Sequence, residues 1–95
     1  MTRYAHKIDR SQPQIVRELR QVPGVTVYLI SQPSRLDLIV GARGVTVWVE
    51  IKNGPGDRLT EDEAEIFETF TGCVVRAECA EDVLKALGMI EEGAT

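Results

Sequence analysis

Ninety-five residues give room for one domain with one modest core, so the whole chain, 1–95, is read as a single unit with its core over 11–88 and a flexible tail over 89–95. At 43% hydrophobic and 27% charged residues the chain has the composition of an ordinary soluble globular protein; no apolar run is long enough to span a membrane, MTRYAHKIDRSQ carries no signal-peptide pattern, and a cytoplasmic location is expected. The net charge of -4 hides an asymmetry, since residues 1–58 hold nine Lys or Arg against five acids and residues 59–95 two against ten, which allows a basic face for phosphates beside an acidic, solvated one.

In chain order, SQPQIVRELRQV predicts a helix capped by Ser11, with Pro13 in its first turn and Ile15, Leu19 and Val22 along one side. Pro23 and Gly24 stop it. VTVYLI reads as a strand, SQPSR as a loop, RLDLIVG as a second strand, AlaArgGly as a tight turn and VTVWVEIK as a third strand, together an antiparallel meander. NGPGDR is a flexible loop by its two glycines and proline. Thr60 and Glu63 form a capping box for a helix with Ala64, Phe67 and Phe70 or Thr71 on one stripe. GCVVRAE is a fourth strand and AEDVLKALG a short helix ended by Gly88. The order αβββαβα places the chain in the α/β class, more closely α+β with a mixed sheet. Cys73 and Cys79 lie about 20 Å apart if the stretch between them is extended, too far for the ~5.5 Å of a disulfide, and are expected as buried thiols.

Strand alternation divides VTVWVEIK into Val45, Val47, Val49 and Ile51 on one face and Thr46, Trp48, Glu50 and Lys52 on the other. A hairpin centred on Gly44 brings Asp37 beside Glu50, because each is about seven residues from the turn. A carboxylate within the apolar run RLDLIV is costly to bury without a compensating cation. Mg²⁺ is one such cation, taking carboxylates, waters and phosphate oxygens as ligands, with Lys52 placed to orient or deprotonate a water and to stabilise charge on a phosphorane. A surface ion pair between Glu50 and Lys52 is the simpler account, and spacing alone leaves both open. Arg10, Arg17 and Arg20 suit solvated helix faces as well as phosphate contacts; Arg43 in the hairpin turn and Arg58 in the glycine-rich loop are the better phosphate candidates.

Asp37, twelve residues, Glu50, one residue and Lys52, with the acid in one strand and ExK in the next, resembles the core of PD-(D/E)xK nucleases. The succession SQPQIVRELR, RLDLIVGARGVTVWVEIKNG, LTEDEAEIF and GCVVRAECAEDVLKAL is similar to the small stand-alone VRR-NUC (virus-type replication-repair nuclease) proteins of phages, over residues 11 to 87. The resemblance implies a restriction-endonuclease-like αβββαβ core with a C-terminal helix. It implies Asp37, Glu50 and the Ile51 backbone carbonyl as ligands of Mg²⁺ or Mn²⁺ and Lys52 as the catalytic lysine. It further implies branched or junction DNA as substrate, in the manner of a Holliday-junction resolvase, a homodimer, and the cytoplasm of a bacterial host. Three positions depart from the family pattern: Leu36 stands where proline is usual, Gln14 where the first helix often carries an acid, with Glu18 as a substitute one turn on, and Glu63 where glutamine is common. The departures at Gln14 and Glu63 keep an alternative open, a catalytically impaired module binding DNA or protein on the same fold. Two apolar sets are expected as the pairing surface, Tyr28 with Ile30, or Val83, Leu87, Met89 and Ile90.

Overall fold

A computed structural model of the chain describes residues 11–91. They run α1 (Ser11–Arg20), β1 (Thr26–Leu29), β2 (Leu38–Ala42), β3 (Val45–Ile51), α2 (Glu61–Thr69), β4 (Val74–Ala77) and α3 (Ala80–Ala86), in the expected order. The expectations for Arg10 and for the end of the tail, 92–95, fall outside the described residues. The strands form one mixed sheet in the order β1-β2-β3-β4, antiparallel through β3 and parallel between β3 and β4, so α2 is the crossover that parallel pairing requires.

The two faces of β3 follow the alternation. Val47, Val49 and Ile51 are fully buried and join Val27, Leu38, Val40, Ala42 and Ala77 under α1 (Ile15, Val16, Leu19) and α3 (Ala80, Val83, Leu87). At about 1.5–3 kcal/mol for each large aliphatic side chain taken out of water, this layer fixes the register of β2 against β3. Val22, expected on the α1 stripe, falls in the turn after the helix and is half-buried, while Val16 completes the stripe. On the sheet's opposite face the register aligns Tyr28, Ile39, Trp48 and Val74 in one row across all four strands.

The β2–β3 hairpin has the two-residue turn Arg43-Gly44, both at positive φ (54° and 84°), which matches the twist of an antiparallel pair. Arg43 is an unusual residue there, and its guanidinium is held by the carbonyl of Gly88 at 2.9 Å. Gly88 (φ 78°) ends α3 with the paired bonds Gly88 N–H to Lys85 O and Met89 N–H to Leu84 O. Met89 packs against the core, so the fold continues beyond the point where the tail was expected to begin.

Four local expectations are corrected. Ser11 lies within α1 rather than ahead of it as a cap; its N–H and hydroxyl both donate to Asn53 Oδ1 (3.3 and 3.1 Å), which ties the helix to the chain just past β3. Cys73 and Cys79 are free and exposed, because β4 is shorter than GCVVRAE and leaves one just before the strand and the other at the start of α3. The stripe Ala64, Phe67 and Phe70 is not buried: α2 has no buried residue, and Phe70 lies past its end, half in solvent. Val83 and Leu87 are core residues and are withdrawn from any pairing surface, whereas Tyr28 and Leu29 stay 65% and 53% exposed on the β1 edge. On that edge Arg20 Nη2 donates to Val27 O at 3.0 Å, covering one of the polar groups through which an open strand would pair. Among the described residues, no helix is long and apolar enough to cross a membrane.

Candidate active site

Asp37 precedes β2 between two fully buried leucines, Leu36 and Leu38, which fix its backbone. Its N–H donates to Val49 O and its carboxylate Oδ2 accepts from Ile51 N–H, both at 2.8 Å, so Asp37 is fastened to β3 at both ends. The carboxylate thus takes the place of the next backbone acceptor and holds the peptide edge of Ile51. Glu50 and Lys52 follow on the face away from the main core, yet are only 4% and 6% exposed. The surface ion pair considered from spacing is therefore not what forms.

Lys52 Nζ lies 2.9 Å from Glu63 Oε1 and 3.4 Å from Glu50 Oε2. Glu63 reaches it from the first turn of α2, where the capping box is complete: Thr60 N–H donates to Glu63 Oε1 at 2.9 Å and Glu63 N–H to Thr60 Oγ1 at 3.2 Å. One carboxylate oxygen thus serves both the helix cap and the lysine. Replacing Thr60 with alanine is expected to cost about 1 kcal/mol through the lost cap, a fall in melting temperature of about 4–8 °C for a domain this size, read by thermal unfolding.

Burial is the largest influence on Glu50 and lifts its carboxyl to about 9, with the negative charges of Asp37 and Glu63 adding to the rise. Burial also raises Asp37, against the opposing N–H of Ile51. For Lys52, burial works against the charge but is outweighed by the hydrogen bond to Glu63 and the attraction of both glutamates, and the net shift is upward. Burial would raise Glu63 too, yet the bonds from Lys52 and Thr60 bring it below its ordinary value. At neutral pH the charged pair is therefore Lys52 with Glu63, while Glu50 keeps its proton despite standing 3.4 Å from the ammonium.

Among the described residues, Glu50 Oε1 is buried and has no hydrogen-bond partner. An unused carboxylate oxygen beside a second carboxylate, both raised by burial, is a donor set that fits a hard divalent ion. Among the described residues no group of three or more His, Cys, Asp or Glu side chains is arranged around a common metal position. The side chains on offer are thus two carboxylates, the usual protein share for Mg²⁺, which draws its remaining ligands from backbone, water and substrate.

The other expected site residues separate. Gln14 and Glu18 are exposed and bonded to each other at 2.9 Å. Arg17 is exposed on the last turns of α1. Arg43 is at the far end of β3 from Glu50, about 20 Å away along seven residues of extended chain, and is committed to Gly88, so it does not stand beside the cluster. Arg58 is exposed in the loop that follows Lys52. Expected to be flexible, that loop is instead pinned by Arg76, whose Nη2 donates to Gly54 O (2.7 Å) and Asp57 O (2.8 Å) and whose Nη1 bonds Glu78. Arg76 went unread in the sequence, although a lone cation within VVRA is itself a signal, since a charge in a short apolar strand needs built partners. Trp48, two residues before Glu50, is half-buried and meets Phe70 edge-on with ring centres 5.1 Å apart.

Compared with protein-family models, with curated proteins and with solved structures, the chain gives no match in any of the three.

Proposed function

We propose that the chain is a divalent-metal-dependent nuclease of the VRR-NUC type on a restriction-endonuclease-like fold, hydrolysing phosphodiester bonds in branched or junction DNA. The observation that carries this reading is the convergence of Asp37, Glu50 and Lys52 at the end of the β2–β3 pair, with Glu50 buried and one of its oxygens unpartnered. A structural ion pair would not leave that oxygen idle. The metal would be held by Asp37, Glu50 and the Ile51 carbonyl. When bound, Mg²⁺ or Mn²⁺ supplies polarisation of a phosphoryl oxygen and a water of lowered pKa. Lys52, whose proton is held more tightly than usual, acts as a cation and hydrogen-bond donor toward the charge that grows on the phosphate, rather than as a base. Glu63 fixes the rotamer of Lys52 and is itself fixed by the α2 cap.

The test is incubation of the purified protein with fluorescent four-way junction, flap and linear duplex DNA in Mg²⁺, Mn²⁺ or EDTA, beside calorimetric titration with Mn²⁺. Cleavage in either metal and none in EDTA is expected, together with metal binding that Asp37→Ala and Glu50→Ala each abolish. Binding unchanged in both variants would remove these residues from the metal site.

A junction offers two phosphodiesters related by approximate two-fold symmetry, and a chain this small holds one site, so the active species is proposed to be a C2 homodimer. Of the expected Tyr28 and Ile30 surface, Tyr28 is exposed on the β1 edge, and Leu29 beside it adds apolar area not expected from the sequence. Light scattering at micromolar concentration should give the mass of two 10.5 kDa chains. A single-chain mass with symmetric junction cleavage would dispose of the dimer.

A further inference from the structure

Loop 53–58 begins directly after Lys52, the residue that follows β3, and is built rather than slack. Asp57 N–H closes a turn on Gly54 O at 3.0 Å, and Asp57 Oδ2 accepts from Asn53 N–H at 3.0 Å. The carbonyls at the two ends of the turn share the Arg76 guanidinium. Two of the loop's carbonyls, those of Gly54 and Asp57, and its one carboxylate are thereby taken up within the loop and by Arg76. The N–H groups of Gly54, Gly56 and Arg58 have no partner among the described residues, and neither has the exposed Arg58 guanidinium, so the loop keeps free donors.

The glycines carry the second half of the argument. Gly24, Gly44 and Gly88 stand at positive φ, Gly41 has a backbone oxygen 3.6 Å from where a Cβ would be, and Gly72 would collide with the Phe70 ring at 2.6 Å. Gly41 meets only an ordinary van der Waals contact, and Gly54 and Gly56 are freer still: their φ values are outside the left-handed region and nothing lies within 4 Å of a Cβ built on either. The fold does not need glycine at either place, and glycine makes the unfolded chain more disordered without return in the native one. A bare backbone with free N–H groups beside the exposed Arg58 is what close approach of an anionic chain requires.

We propose that loop 53–58 is a preorganised seat for the sugar-phosphate backbone of the DNA strand entering the Asp37, Glu50 and Lys52 cluster, with Gly54 and Gly56 giving clearance, Arg58 giving charge and Arg76 as the positioning residue that holds the loop in shape. The inference rests on the nuclease reading above. Its test is binding of a fluorescein-labelled four-way junction, followed by anisotropy in Ca²⁺, for the wild type and for Gly54→Ala, Gly56→Ala, Arg58→Ala and Arg76→Lys. Both glycine variants are expected to keep or raise the melting temperature and to keep Mn²⁺ binding, yet to weaken the junction Kd tenfold or more. Arg58→Ala is expected to reduce the slope of log affinity against log salt by about one. Arg76→Lys, which loses the two-carbonyl bridge, should weaken DNA binding while calorimetric Mn²⁺ binding stays intact. Wild-type affinity in both glycine variants, or a marked loss of their melting temperature, overturns the seat and leaves the nuclease reading standing. A wild-type protein that binds none of the junction, flap or duplex DNAs overturns both.

Discussion

Lys52→Met is expected to lower junction cleavage by about 10²- to 10³-fold, through kcat with little change in KM. The lysine is almost wholly buried and its ammonium is shared by Glu63 and Glu50, so in the resting protein its charge is already spoken for. A substrate phosphate bound in the ground state gains little from it. Charge growing on the phosphate during bond breaking gains more, because Lys52 stays protonated across the working pH range and does not have to be recruited from solvent. Methionine keeps the packing of the stem, and Glu63 retains its bond from Thr60, so the variant should fold with a melting temperature within a few degrees of wild type. Steady-state kinetics on a cleavable junction, with Mn²⁺ titration of the same sample, separate the cases. A folded, metal-binding variant that still cleaves at the wild-type rate would make Lys52 the counter-ion of Glu63 and nothing more.

Local pattern carried the fold a long way. Period-two alternation placed Val47, Val49 and Ile51 in the core and Glu50 with Lys52 on the other face, and the short turn at Arg43-Gly44 set the register that brings Asp37 to Glu50. Thr60 with Glu63, and Gly88, marked two helix ends through chemistry confined to a few residues. What stayed hidden depends on pairs distant in sequence. Ser11 meets Asn53, Arg43 meets Gly88, and Arg76 meets Gly54 and Asp57, each across roughly twenty to forty-five residues. No period or motif encodes such a meeting. The same limit explains Lys52 and Glu63, eleven positions apart on different elements, which were linked beforehand only through resemblance to a family pattern. The stripe on α2 misled for the opposite reason. Ala64, Phe67 and Phe70 do recur at helical spacing, but Ala64 is exposed, Ile66 and Phe67 are only half-buried and Phe70 lies beyond the helix, so the stripe does not seal a core.

Without a divalent ion the protein should lose stability as pH rises from about 5 toward 9, and Glu50 should be the main cause. Its carboxyl titrates near the ordinary 4.5 in the unfolded chain and at about 9 in the folded one. Below the unfolded value both states hold the proton and the folded state bears no penalty. Between the two values the unfolded chain gives up its proton while the native state retains it, so folding weakens steadily with pH; above about 9 the full cost of a buried, uncompensated carboxylate is in place. Asp37, also raised, adds to the same trend. Glu63, lowered, acts in the opposite sense, and its contribution is lost only on acidification, which places maximum stability in mildly acidic solution. At about 1.4 kcal/mol per pH unit the displacement of Glu50 would amount to roughly 6 kcal/mol, and water entry into a small domain should reduce the measured slope to a few kcal/mol over the range. Glu50→Gln keeps the shape and removes the charge, so it should be the more stable protein at pH 9 and keep only the shallower slope that Asp37 contributes. Mg²⁺ should flatten the wild-type curve by compensating the carboxylate, and leave the glutamine variant almost unmoved. Denaturant unfolding at pH 5, 7 and 9, in EDTA and in Mg²⁺, measures all four curves. Parallel slopes for wild type and Glu50→Gln would show that the buried glutamate carries no charge penalty, and with it would go the physical reason for placing an ion there.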